Sequence, residues 1–385
     1  MHVLIAPNAF KHGPGATEVA RAIELGIKKS GLQCTTTLFP VGDGGDGTAG
    51  LIIEKEKGIR VPVHTVDPFG KEMLTEFGLI DNGATAVIEM ANASGTRLLE
   101  KHQLNPLRAS TYGTGLIIKH ALDKGVSRII IGMGGSATVD GGTGILQALG
   151  FRFLNREGEE LQSLPGSLID LYSIDDRNID TRIAACTIIV LCDVRNVLLG
   201  KEGAAEVFGP QKGADAEMVQ KLETALMQWS RRTLAHTGTD MAALVHGGTA
   251  GGAAAGMHAY LNAQLVDGAA YFLQATGFNE ALSQADVVIT GEGSLDAQTI
   301  QGKAPFAVAQ AAKEKGIPVI GMGGKIPTED VKDLNSYFDV LMSISPGPSS
   351  LADSIKDTEI NLEQTAKAIG NLLSIGNKNK IFKSS

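Results

Sequence analysis

Residues 16–30, ATEVARAIELGIKKS, set Val19, Ile23 and Ile27 four positions apart, the spacing of one helix face. Short β-rich runs flank this helix, HVLIA at 2–6 and CTTTLFPV at 34–41. Strand, helix, strand is the connection that parallel neighbours need, since no tight hairpin can join them. The last hundred residues repeat this order: ADVVIT (285–290), APFAVAQAAKEKG (304–316), IPVIGM (317–322) and FDVLMSI (338–344), then a closing helix. One doubly wound sheet drawing on both chain ends accounts for both segments.

Between them lie further β-rich runs, GIRVPVHTV (58–66), ATAVIEM (84–90), RIIIGM (128–133) and CTIIVLCDV (186–194), separated by glycine loops and helices. At about 100–200 residues per domain, 385 residues imply two. The expected organisation is an α/β domain of residues 1–56 plus 285–385, a second α/β domain of residues 57–284 inserted into it, and a cleft between them. In AEMVQKLETALMQWSRRTL (216–234), Met218, Leu222, Leu226 and Trp229 fall at helical spacing, which marks the lone tryptophan as core.

A net charge of −8 disfavours nucleic acid or an anionic membrane as partner and favours small soluble ligands. Cys34, Cys186 and Cys192 show no CxxC spacing and read as reduced thiols. The start, MHVLIAP, lacks the pattern of a secretory signal, and no run of about 18 apolar residues occurs. A cytoplasmic protein is expected, with a homo-oligomer compatible with the sequence.

Glycine, at 48 residues, is clustered and not periodic, and five loops combine it with a polar or charged residue: VGDGGDGT (41–48), TYGTG (111–115), GMGGSATVDGG (132–142), VFGPQKGA (207–214) and TGEGSLDAQTIQGK (290–303). Glycines let backbone N–H groups converge on an anion, and a following helix adds its positive end. No GxxxxGK[ST] is present, so this is no P-loop. GMGGSA (132–137) fits the dinucleotide pattern G-x-G-x-x-A, which keeps a nicotinamide dehydrogenase as the alternative, although the acidic residue due about 20 positions later is not clearly placed. A non-catalytic two-lobed binding protein is a third reading.

Carboxylates favour phosphoryl chemistry. Glu292 and Asp296 follow DVVIT, and Asp193 follows IIVLC, each at the carboxyl end of an expected strand where open sheets build sites. Acid beside a phosphate-friendly loop repels the ligand unless a cation intervenes, which implies Mg²⁺. Lys11, Lys212 and Lys303 lie in glycine loops and suit the neutralisation of a transferring phosphoryl group.

The blocks PVGDGGDGT, EMANASG, STYGTG, IIGMGGSATVDGG, LCDVRNVLLG, FGPQKGA, GTAGGAAAGM, TGEGSLDAQTIQGKAP and ISPGP occur in this order. They resemble the successive signatures of the bacterial-type glycerate kinases, over nearly the whole chain. The resemblance implies ATP-dependent phosphorylation of D-glycerate to 2-phospho-D-glycerate, with 3-phospho-D-glycerate the lesser alternative. It also implies a discontinuous flavodoxin-like domain, a second α/β domain and a site in the cleft. Three departures stand out. APNAFKHGPGA (6–16) replaces the family's usual APDSFKGSLSA, so Asn8 and Ala9 stand for an acid and a hydroxyl. Val197 occupies a position that is usually proline, and Ser294 one where arginine is common.

The roles expected on this basis are Glu292 and Asp296 for Mg²⁺ and the ATP phosphates, and Lys11 and Lys212 for phosphate or the glycerate carboxylate. Asp43 and Asp193 are rival bases for the glycerate hydroxyl, with Asp193 preferred because a buried strand behind it would raise its pKa. Gly44, Gly45, Gly134, Gly135, Ser136, Thr138, Asn196, Gly293 and Lys303 are expected to bind nucleotide or substrate.

Overall fold

The structure, a computed structural model, describes residues 1–296, 299–327 and 332–383. It comprises two compact units, one made of residues 1–43 with 269–385 and the other of residues 44–268. These joints differ from the boundaries drawn at 56/57 and 284/285. Helix α2 (Thr48–Lys55) packs on strands of the continuous unit, so its buried Ile52 and Ile53 belong to that unit's apolar interior. At the other joint, Phe278 meets Phe39 edge to face, 5.2 Å between ring centres, which ties residues beyond 269 to the discontinuous unit.

The discontinuous unit contains β1 (His2–Ile5), β2 (Thr35–Leu38), β11 (Val287–Ser294), β12 (Val319–Lys325) and β13 (Val340–Ser343). They form one sheet in the order β13-β12-β11-β1-β2, parallel throughout. Renumbered within the unit this is the flavodoxin-like order 2-1-3-4-5, whose switch point falls between β1 and β11. Helix α1 (Ala16–Lys28) buries Val19, Ile23 and Ile27 completely, as its spacing requires. The C-terminal helix Thr358–Lys383 packs along α1, adding Leu362, Ala366 and Ile369 to the same core.

The continuous unit is built on β3 (Ile59–Val66), β4 (Glu72–Ile80), β5 (Thr85–Glu89), β6 (Arg128–Gly132), β9 (Thr187–Cys192) and β10 (Gln264–Asp267), in the order β10-β9-β6-β5-β4-β3. The first four of that order are mutually parallel, while β4 and β3 add an antiparallel edge. A hairpin of β7 (Arg152–Leu154) and β8 (Ser173–Asp175) forms a separate two-stranded sheet. Trp229, in the helix Ala216–Thr237, is fully buried, stacks on Tyr260 and donates its indole N–H to the Gly141 carbonyl at 3.1 Å.

Candidate active site

In the discontinuous unit the site residues gather at the β1/β11 switch point. Strand β11 runs to Ser294, so Glu292 lies within it, paired with Gly323 of β12, and not just beyond its end. Thr299 links the two expected metal ligands: its hydroxyl donates to Glu292 Oε1 at 3.0 Å, and its amide donates to the Asp296 carbonyl at 2.9 Å. Ser294, at the position where arginine is common, donates instead to Asp296 Oδ2 at 2.9 Å. Lys303, the residue capping the helix Ala304–Glu314, brings its ammonium to 3.6 Å from Glu292 Oε2.

Glu292 is buried, and burial pushes its carboxyl up to about 7 against the pull of Lys303, with the like charges of Asp43 and Asp296 adding to the rise. Asn8 donates its side-chain amide to Asp43 Oδ2 at 2.8 Å. An amide at position 8 thus supplies a hydrogen bond where a second carboxylate would repel. Lys11 stands exposed in the loop after β1, its backbone nitrogen 3.1 Å from where a side chain on Gly293 would begin. Ala297 and Gln298, in the middle of the TGEGSLDAQTIQGK motif, lie outside the described residues.

In the continuous unit the candidate residues lie at and beyond the ends of β5, β6 and β9. Gly44 has φ +90°, and a Cβ there would lie 2.6 Å from the Leu191 carbonyl oxygen of β9. Gly44 also accepts from the backbone N–H groups of Met133 and Gly134, at 3.0 and 2.9 Å. A Cβ on Gly134 would meet Gly45 Cα at 2.3 Å, and one on Gly135 would stand 3.3 Å from Asp46 Cβ. Gly44, Gly45, Gly134 and Gly135 therefore bring two loops into backbone contact with each other.

Lys212 is the buried cation of this unit. It ends the single turn Pro210–Lys212 and donates to Ser136 Oγ at 2.8 Å and to the Thr138 carbonyl at 2.7 Å. Burial pulls its ammonium down to about 7, against the opposing charges of Asp140 and Asp193. Thr138 Oγ1 is fully buried and has no hydrogen-bond partner among the described residues. Asp193 follows β9 directly and is half-buried. Asn196 serves its own loop, its side chain donating to the Glu202 carbonyl at 2.8 Å and its carbonyl accepting from Gly248.

Three groups here escaped the sequence reading. Asp140, fully buried, accepts from the N–H and hydroxyl of Thr111 and from the N–H groups of Gly142 and Gly144, so it fastens the loop that carries Ser136 and Thr138. Burial nevertheless raises its pKa. Glu89 is the last residue of β5, and the strand-end rule that singled out Asp193 applies equally to it. Arg97 pairs with Asp46 at 2.8 Å; no motif marks it.

The dinucleotide alternative does not survive the topology. The loop after β6 reaches its helix, Thr143–Ala148, only eleven residues beyond Gly132, and β7 then pairs antiparallel with β8 outside the main sheet. The fingerprint needs a helix opening on the glycines and a parallel second strand.

Parallel strand ends bearing buried carboxylates, a buried lysine and close-packed glycine loops define an α/β enzyme. Residues 3–374 match the model of the glycerate kinase family, and the chain belongs to that family. It is 41% identical to a glycerate kinase of Halalkalibacterium halodurans, over 95% of this chain and 97% of the relative. It is 37% identical to the glycerate 2-kinase of Escherichia coli, over 98% of this chain and 100% of the relative. A solved structure from Salmonella typhimurium LT2, a candidate glycerate kinase 2, superposes with a TM-score of 0.81 at 40% identity, covering 98% of this chain and 99% of the other. No helix among the described residues is long and apolar enough to cross a membrane.

Proposed function

We propose that the protein transfers the γ-phosphoryl group of ATP to the 2-hydroxyl of D-glycerate, giving 2-phospho-D-glycerate, with Mg²⁺ held through Glu292 and Asp296. The family supports the kinase chemistry, and the name of the Escherichia coli relative supports the 2-position. The observation that supports the metal assignment is the pairing of Glu292 with Asp296 through Thr299: two carboxyl groups side by side, one of them buried and pushed up to about 7 mainly by that burial, with Lys303 opposing. Among the described residues no cluster of three or more metal-ligating side chains occurs. Mg²⁺ takes one or two carboxylates and completes its shell with water and substrate phosphates.

Phosphoryl transfer asks the protein for positioning, charge neutralisation and a base. When bound, the metal would neutralise charge on the phosphate oxygens. Thr299 holds the Glu292 carboxylate in place, and Lys303 offsets part of its charge. Lys11 and Lys212 are assigned to phosphate or to the glycerate carboxylate, and the loop of Ser136 and Thr138 supplies backbone and hydroxyl donors. Asp193 is assigned as the base for the hydroxyl proton. Asp43 is the weaker candidate, because its carboxylate is already engaged by the side-chain amide of Asn8 at 2.8 Å.

A coupled ATPase assay with D-glycerate, followed by NMR of the product, tests the reading. Expected are Mg²⁺-dependent turnover and phosphorus coupling to the C2 proton. Full activity in EDTA would remove the metal from the account, and coupling at C3 would move the transfer to the other hydroxyl. In the same assay Asp193→Asn should lower kcat by about 10²-fold or more, within the usual contribution of a general base; wild-type kcat in both Asp193→Asn and Asp43→Asn would discard both as bases.

A further inference from the structure

We propose that the cavity beside the start of the helix Tyr112–Asp123, in the continuous unit, binds a small organic anion, a carboxylate or a phosphate ester with an apolar or planar body, and that Arg108 holds its charge. The cavity holds about 360 Å³, within the range of about 300–1,000 Å³ that ligand pockets span. Its wall is shared by the turn between β3 and β4, the segment leading into the helix, and residues 161–164. All of these belong to one unit.

The stretch STYGTG (110–115) has no role in the reaction proposed above. Packing explains its glycines: a Cβ on Gly113 would lie 2.1 Å from the Val66 carbonyl oxygen, and one on Gly115 would lie 2.6 Å from Ala148 Cβ. Thr111 is engaged by Asp140, through both its N–H and its hydroxyl. Ser110 and Tyr112 are left, and both line the cavity. Ser110 Oγ accepts the Tyr112 N–H at 3.2 Å, which keeps its own proton for another acceptor. The Tyr112 hydroxyl has no partner among the described residues.

Arg108 is exposed, and its guanidinium lies 5.8 Å from the centre of the Phe69 ring, so its charged end stands on the wall that the two residues share. Among the described residues that guanidinium meets no carboxylate and no hydrogen-bond acceptor. Asp67, the one acid in the lining, is turned to its own loop, where it accepts the backbone N–H groups of Phe69 and Lys71 at 2.8 and 3.0 Å. An unpaired guanidinium fork matches a carboxylate or a phosphate through two parallel hydrogen bonds. Val66, Leu161 and Leu164 add apolar surface, and Phe69 a ring face, for the body of the ligand. Ser163, in the same wall, holds φ 60°, in the left-handed region. Backbone held there in a residue other than glycine clusters at ligand sites.

Calorimetric titration of the full chain with inorganic phosphate, D-glycerate and AMP tests this. At least one of the three is expected to bind with an affinity that falls about tenfold or more in Arg108→Gln, the scale of a lost hydrogen bond to a charged group. Steady-state kinetics then separates the two sources of the anion. If it is a ligand of the reaction, Arg108→Gln raises the KM of ATP or of D-glycerate and leaves kcat in place; if it is a separate effector, both KM values stay while the binding is lost. Either result supports the site. Affinities for all three probes that ignore Arg108→Gln overturn it, and so does the absence of binding by any of them. Both readings are made without turnover, so they stand apart from the outcome for the kinase reaction. Arg108 is exposed, so its variant should fold as the parent chain does.

Discussion

Lys212 and Glu292 are both buried charges displaced to about 7, from opposite directions. The assigned roles need Glu292 ionised and Lys212 charged. Protonation of Glu292 removes activity as pH falls through about 7, and loss of the Lys212 proton removes it as pH rises through about 7. The profile of kcat/KM, which reports the free enzyme, should therefore be a narrow bell centred near 7. Phosphate and metal favour the charged forms of both groups, so the limbs of kcat should lie further apart. Lys212→Arg should move the alkaline limb upward, because guanidinium keeps its proton; a profile unchanged by that substitution would take Lys212 out of the mechanism. Lys212→Met should cost about 10²–10³-fold in kcat, the scale of one lost electrostatic contact to the transition state. Asn8 makes a second case. Asn8→Asp would set two carboxyl groups at the 2.8 Å now spanned by an amide hydrogen bond. One of them should then stay protonated, and the acid limb of kcat/KM should rise; an unmoved limb would show that Asp43 is remote from the titrating group.

Close approach of backbones, more than turn chemistry, explains why the site-bearing elements are rich in glycine. In β11 a Cβ on Gly291 would lie 2.1 Å from the Met322 carbonyl oxygen, so the strand can run on into GEGS only with glycine there. Sequence reading ends that strand at Thr290, because glycine is poor strand material by itself. It also misses β4, Glu72–Ile80, whose EMLTEFGLI is not cleanly alternating and whose antiparallel pairing departs from the βαβ grammar of its neighbours. By contrast, the parallel strands β5, β6 and β9 were legible as apolar runs, since both faces are covered. Asp193, Glu292 and the lysines were legible through loop and strand-end position; the burial of Lys212 was not, because it arises from a loop far away in sequence. Gly44 and Gly47 allow the close-approach argument to be measured. Both have φ near +90°, but a Cβ on Gly44 would strike Leu191, and one on Gly47 would meet nothing within 4 Å. Gly47→Ala should cost about 1–2 kcal/mol of left-handed strain alone. Gly44→Ala should cost about 1–3 kcal/mol more through overpacking. Denaturant titration followed by the fluorescence of Trp229, the sole tryptophan, reads the continuous unit directly; equal losses in the two variants would reject the contact as the reason for glycine at position 44.

At the scale of the molecule, each unit has its own apolar interior. One is built around Val3, Ile5, Ile23 and Ile289, the other around Ile88, Ile131, Val190 and Trp229. The insertion was legible because both chain ends speak one strand–helix grammar. The joints were not, because α2 reads equally well as the helix that would follow β2 or as a cover for β5, and only tertiary packing assigns it to the latter. A unit that is one unbroken segment with its own core should fold alone. The fragment of residues 44–268 is therefore expected to be a cooperative folded species, with Trp229 in an apolar setting and sharp near-ultraviolet dichroism. It should show no glycerate-dependent ATPase activity, since Glu292, Asp296 and Lys303 belong to the other unit. A fragment that stays unfolded would show that the core around Trp229 needs the other unit for its stability.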